Sequence, residues 1–349
     1  MKVAQNTLYL MTPGTFVTRD HLTLRIEIDH TLKLAVPIHH LEAVCVFGPN
    51  TITAPALELC WEHGVAVNFL TEWGRLQARL TGVADTSVTL RRTQFRVADD
   101  REKSASIARQ CIAGKIQNAR QSLLRSARES GSEEERAQIQ SAIDALARHL
   151  LALGKFEISA PGFHMDEVRG LEGIAAQIYF AAFTLLLRQQ REHFAFTTRT
   201  RRPPRDRINC LLSFLYALLR NDCVAALTAA GLDPFVGFLH ADRPNRPSLA
   251  LDLMEEFRPW LADRVALTLI NRQQIGPGDF REREGGAVEL TDAGRRLIVK
   301  AWQERKAEEV RHPLLEQNWP VGRLPFVQAR VLARTLRGDL PVYIPYIVK

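Results

Sequence analysis

The 349 residues are 46% hydrophobic and carry 46 Lys and Arg against 39 Asp and Glu, a net charge of +7. That length accommodates one large or two ordinary domains with a real core, and so small a basic excess does not by itself name a partner. There is no uninterrupted apolar run of about 18 residues and no signal-peptide core after Met1, so no membrane association and a cytoplasmic location are expected. Five cysteines without a Cys-x-x-Cys pair exclude a zinc ribbon or a disulfide framework.

The first eighty or so residues read as β-rich. Asn6–Leu10, Leu22–Ile28, Leu32–Pro37, Ala43–Phe47, Val65–Leu70 and Leu76–Leu80 are short runs of β-branched and apolar residues, punctuated by Gly and Asn. One helix interrupts them, with Thr53 as N-cap, Pro55 early, Leu57 and Cys60-Trp61 facing inward, and Gly64 closing it. His39 and His40 are adjacent, so on a strand they point to opposite faces. After about Gly82 the pattern turns helical. Val88–Arg128 forms one helical run, and Gly131-Ser-Glu-Glu-Glu135 opens a second helix through Leu153 with an acidic first turn. Further helices are expected over 166–187, 207–220 and 248–258. The fold class is α+β: a β-sandwich-like N-terminal domain over residues 1–85, followed by a larger all-α catalytic domain over 86–349.

Three separated pieces could close on one metal ion: Glu172, His240, and the acidic segment Asp252, Glu255, Glu256. Carboxylates with one imidazole suit Mg²⁺ or Mn²⁺, the nitrogen leaning toward Mn²⁺. Glu172 lies in a small-sided helix, where a buried carboxylate needs a partner. The alternative partner is Arg169, one helical turn away. His240 ends an apolar run, where a hydrogen-bonded structural role competes with ligation. On a helix, Asp252, Glu255 and Glu256 share one side and Leu249, Leu253 and Phe257 another. The alternative is a solvated acidic face balanced by Arg258 and Arg264, and Pro259 ends or bends the helix.

Between Arg199 and Arg207 stand five arginines and one Asp. Such clustering is the footprint of a polyanion, and the planar fork of Arg suits phosphate oxygens. Arg199, Arg202, Arg205 and Arg258 are the candidate DNA-backbone contacts. Asp206 reads as the N-cap of the following helix rather than as a catalytic acid. Arg330, Arg334 and Arg337 recur on one face of a C-terminal helix.

Leu171-Glu-Gly-x-Ala-Ala-x-x-Tyr-Phe180, Gly237-Phe-Leu-His240, Asp252-Leu-Met-Glu-Glu-Phe-Arg-Pro259 and Lys115-x-x-Asn-x-Arg120 resemble the CRISPR-associated integrase family, the first of the Cas proteins. The likeness is closest to the form that accompanies type I-C systems. The resemblance implies a metal held by Glu172, His240 and the acid fifteen positions after it, Glu255, with Asp252 matching a second acidic position used in some members. Some members place the last ligand one position earlier or use Asp, so Glu255 is preferred over Asp252, and Glu256 is the weakest candidate. The resemblance further implies a metal-dependent endonuclease and integrase acting by phosphoryl transfer. Its DNA substrates would be a captured protospacer and the CRISPR repeat at the leader end. It would work as a homodimer, paired through the N-terminal domain, with the second Cas protein. Two rival readings remain: a stand-alone repair nuclease on branched DNA, and a non-catalytic DNA-binding scaffold.

Overall fold

Short β-branched runs build the first part of the chain. The computed structural model describes residues 6–80, 88–160, 163–200 and 203–348. Strands β1 (Thr7–Leu10), β2 (Thr15–Asp20), β3 (Thr23–Ile28), β4 (Thr31–Pro37), β5 (Ala43–Phe47) and β6 (Thr51–Ile52) precede helix α1 (Ala54–Glu62), then β7 (Ala66–Leu70) and β8 (Leu76–Leu80). They form two four-stranded sheets, ordered β1-β5-β7-β8 and β4-β3-β2-β6. In the first, β1, β5 and β7 run parallel, with Val44 opposite Val67. The second is antiparallel except where β2 meets β6. Val17, Leu24 and Ile26 of one sheet, Val44, Val46 and Val67 of the other, and Ala56 and Leu59 of α1 share one apolar cluster.

Three sequence expectations change here. β2 was not foreseen, because only Thr15 and Val17 of its six residues are buried, too few for a period-two signal. Trp61 does not face inward: it is half exposed, and α1 buries Ala56, Leu59 and Cys60 instead. His39 and His40 lie on a 3-10 turn, not a strand, with ring centroids 4.2 Å apart.

The rest of the described chain is mainly helical: α2 (Val88–Asp99), α3 (Arg101–Glu129), α4 (Glu133–Gly154), α5 (Met165–Ala181), α6 (Arg207–Ala229), α7 (Ser248–Glu255) and α8 (Asp263–Asn271). β9 (Phe280–Glu282) and β10 (Val288–Leu290) form a hairpin. Then come α9 (Asp292–Ala307), the pair β11 (Glu309–Arg311) and β12 (Asn318–Pro320), and α10 (Leu324–Arg337). The hairpin corrects the all-α expectation. The single run over Val88–Arg128 is also divided: the Asp100 side chain accepts from the N–H groups of Glu102 and Lys103 and starts α3 afresh. Ser132 caps α4 through Glu135 N, and Asp206 caps α6 through Asn209 N. α6 is long and apolar enough to cross a bilayer by length and composition alone, but 67% of its apolar window is buried, as in a core helix.

Contacts divide the chain into two units. One holds Met1–Asp85 with Arg295–Val310 and Pro320–Arg323; the other holds Thr86–Gly294, Arg311–Trp319 and Leu324–Lys349. Residues 295–310 and 320–323 therefore depart from a single boundary near 85. Within the first unit Arg295 covers the Trp73 ring at 5.3 Å, Arg296 donates to Thr12 Oγ1 at 3.1 Å, and Arg323 pairs with Glu42.

Candidate active site

Helix α7 sets the site. Leu249, Leu253 and Phe257 are buried, as the stripe predicted, but Asp252, Glu255 and Glu256 are 1%, 2% and 0% exposed. A solvated acidic face is thereby excluded. Pro259 follows directly, and the backbone passes through a π-turn over Arg258–Ala262 before α8, the local distortion expected where proline removes an N–H donor.

The three carboxylates serve different partners. Asp252 Oδ2 accepts from the N–H groups of Phe238 at 2.6 Å and Leu239 at 3.0 Å. Its Oδ1 accepts from His240 N–H at 3.0 Å and lies 2.6 Å from His240 Nδ1. A Cβ on Gly237 would stand 2.9 Å from Asp252 Oδ2 and from the Ser248 backbone, so only glycine lets this loop close on α7. The far ring nitrogen of His240, Nε2, lies 3.9 Å from Glu255 Oε1. Asp252 thus holds the imidazole and has no oxygen to spare.

Glu172 arrives from α5 and Lys115 from α3. The Lys115 ammonium contacts the Glu172 carboxylate and lies 2.7 Å from Glu255 Oε2. Arg258 Nη2 stands 3.2 Å from the other Glu255 oxygen, and its guanidinium covers the Tyr216 ring at 5.1 Å. Burial alone would push the Glu255 carboxyl up, but Arg258 first, then Lys115 and His240, hold it well below the usual range. Arg169 does not pair with Glu172. It donates twice to Leu239 O and once to Asp166, and so fixes the backbone beside His240.

Whether these groups suit a divalent cation is decided by donor type and orientation. Two carboxylates and an imidazole oriented through its far nitrogen are the expected donor set with its supporting shell. The buried Glu255 Oε2 faces the Lys115 ammonium at 2.7 Å, and no other donor among the described residues reaches it. The donors fit a cation. Their present separations do not, as no trio of His, Cys, Asp or Glu among the described residues stands at ligating distances, with Lys115 between two of them.

Glu256 turns away from this centre. It accepts from Tyr343 Oη, Tyr346 N–H and, at 3.1 Å, Gln328 Nε2; burial outweighs these bonds and pushes it up to about 8. Asn118 Nδ2 donates to Glu256 O at 2.7 Å and Tyr346 O at 2.8 Å. Lys115 and Asn118 were visible as a sequence pattern, but nothing in that pattern indicated that Lys115 bridges two acids.

The arginine cluster also divides. Arg199 donates to Asn209 Oδ1 and Ser213 Oγ and lies 5.4 Å above the Tyr216 ring, so it faces inward, as Arg258 does. A phosphate clamp needs an open fork, and both of these are engaged within the chain. Arg205 is exposed and donates to Gly285 O. Arg202 lies outside the described residues. A cleft of about 540 Å³ borders His240, lined by Phe95, Arg101, Ser104, Arg169, Phe238 and Asp242 among others.

The family described as "CRISPR associated protein Cas1" matches residues 8–304. A CRISPR-associated endonuclease Cas1 of Moorella thermoacetica is 48% identical over 349 residues, the whole of both chains. One of Rhodospirillum rubrum is 46% identical over the same span. Among solved structures, a Cas1 protein from Thermotoga maritima superposes with a TM-score of 0.79 at 25% identity, covering 95% of this chain and 97% of that one. A Cas6-RT-Cas1–Cas2 complex gives a TM-score of 0.80 at 26% identity, covering 99% of this chain and 36% of that longer one. A casposase bound to integration product shares the fold, with a TM-score of 0.82 at 23% identity, covering 97% of this chain and 92% of that one. With relatives 48% and 46% identical along the whole of both chains, and a family model matching residues 8–304, this chain belongs to the Cas1 family of CRISPR-associated endonucleases.

Proposed function

We propose that Glu172, His240 and Glu255 hold a Mg²⁺ or Mn²⁺ ion and that the chain joins short captured DNA to a CRISPR repeat at the leader end. The observation that carries this reading is the His240 imidazole, fixed by Asp252 through Nδ1 and presenting Nε2 toward Glu255. When bound, the ion supplies charge neutralisation at the phosphate and activation of the attacking oxygen. The chain's own residues do the rest. Asp252 and Arg169 fix the His240 loop, Arg258 keeps Glu255 ionised, and Glu172 approaches from a separate helix. Asp252 acts as a positioning residue in this reading, and so do Arg199 and Arg258, which leaves Arg205 and Arg202 as candidate backbone contacts.

A cytoplasmic homodimer, paired through the N-terminal unit and working with the second Cas protein in a type I-C-like system, completes the proposal. Structural relatives that include a Cas1–Cas2 complex favour that partner. A stand-alone nuclease would use the same chemistry with water as nucleophile. The burial of the acids argues against a non-catalytic scaffold.

The test is Mn²⁺-dependent joining of a labelled short duplex into a plasmid bearing the repeat. Glu172→Ala, His240→Ala and Glu255→Ala should each abolish joining, with far-ultraviolet circular dichroism unchanged. Near wild-type joining by any one would remove that residue from the ligand set.

A further inference from the structure

The Lys115 side chain is only 12% exposed and comes from α3, whereas the acids it meets come from α5 and α7. One ammonium therefore ties three helices together. It touches the Glu172 carboxylate and the Glu255 oxygen opposite the one that Arg258 holds. Two carboxylates face two cations, so the cluster is neutral without a metal. The ammonium occupies one oxygen of each carboxylate that the ligand reading assigns to the divalent ion.

A divalent ion and an ammonium cannot share those oxygens in a buried setting, where like charges repel far more strongly than in water. One of the two organic cations has to leave. Arg258 is held by its stack on Tyr216 and by the π-turn that carries it. Lysine ends in a point charge on a flexible four-carbon stem, so Lys115 is the one that can swing.

We propose that Lys115 is a resident counter-ion: it holds Glu172 and Glu255 together in the metal-free protein, yields its place when the divalent ion enters, and then stands at the site's edge as a mobile positive charge for the DNA phosphate. This rests on the ligand reading above. It assigns Lys115 as a positioning residue that competes with the metal, which a permanent salt bridge would not do. Removing a competitor tightens binding, whereas removing a structural brace loosens it, and the sign of the effect separates the two.

The experiment is calorimetric titration of Mn²⁺ into the full chain and into Lys115→Met, with thermal unfolding measured with and without Mn²⁺. A charged hydrogen bond that no longer has to be broken corresponds to about tenfold tighter binding. The variant should also unfold at lower temperature without metal and gain more than the wild type when Mn²⁺ is added. Equal or weaker Mn²⁺ binding by the variant would overturn the inference while leaving the ligand reading intact. Absence of Mn²⁺ binding by wild type and variant alike would overturn both.

A second measurement needs no variant. Acylation of lysine amines in the wild type, read by mass spectrometry at Lys115, should be slow without metal and several-fold faster with Mn²⁺. A rate indifferent to Mn²⁺ would equally overturn the proposal.

Discussion

At Asp252 four partners converge on two oxygens, three of them backbone N–H groups of a single loop. Truncating this side chain strands those donors in a buried place, at a cost of about 3 kcal/mol. Asp252→Ala should therefore lower the midpoint of urea unfolding far more than Glu172→Ala, whose carboxylate is 28% exposed; equal midpoints would show that the loop holds without it. Asp263 offers a test by pH. It is buried, accepts from Tyr216 Oη at 2.7 Å, and burial pushes it up to about 6 against that bond and the nearby Arg199 and Arg258. An acid whose folded pKa lies above its ordinary 3.8 favours folding while protonated, and that contribution is lost as pH rises through about 6. Asp263→Asn should gain on the wild type between pH 4 and 7, by on the order of 2–3 kcal/mol, in paired denaturant titrations. A pH-independent difference would contradict the shift. The residue types of the site were legible in Gly-Phe-Leu-His and in the acidic run. Their division of labour was not, because Asp252, Glu255 and Glu256 differ only in what reaches them: Glu256 is claimed by a tyrosine 87 positions later, and Glu172 by a lysine 57 positions earlier.

Helix α3 carries the same lesson in its packing. A Cβ at Gly114 would lie 2.8 Å from Pro345 Cβ and 3.3 Å from Glu256 Cβ. Helix propensity favours Ala over Gly by about 1 kcal/mol, but overpacking of a filled contact costs about 1–3 kcal/mol. Gly114→Ala is expected to destabilise and to make the chain around Pro345 a target for limited proteolysis; a raised unfolding temperature would show that propensity wins. Where local chemistry decides, elements were legible: Ser132 and Asp206 cap the helices that their positions announced. Where the surrounding sheet decides, as for β2, they were not.

The two-unit organisation of the whole molecule follows the composition change after about residue 80, yet 295–310 and 320–323 rejoin the first unit through contacts that no local signal foretells. On that unit β4 forms the outer edge of its sheet, with Leu32 and Leu34 45% and 48% exposed. An apolar, uncovered edge is a template for pairing with another chain. Under the proposed homodimer, light scattering should give twice the chain mass, and Leu32→Lys with Leu34→Lys should reduce it to one. A double variant that stays dimeric would move the interface elsewhere.

Asn118 Nδ2 donates to Tyr346 O and Asn118 Oδ1 accepts from Val348 N–H, bonds that close loops of 228 and 230 residues. Contacts so far apart in sequence form late, because the entropy of closing the loop precedes any reward from the contact. The helices can therefore be complete while Glu256 still lacks its partners and α7 its final seat. Recovery of a working site after dilution from denaturant is therefore expected to lag behind the return of helical signal in stopped-flow circular dichroism.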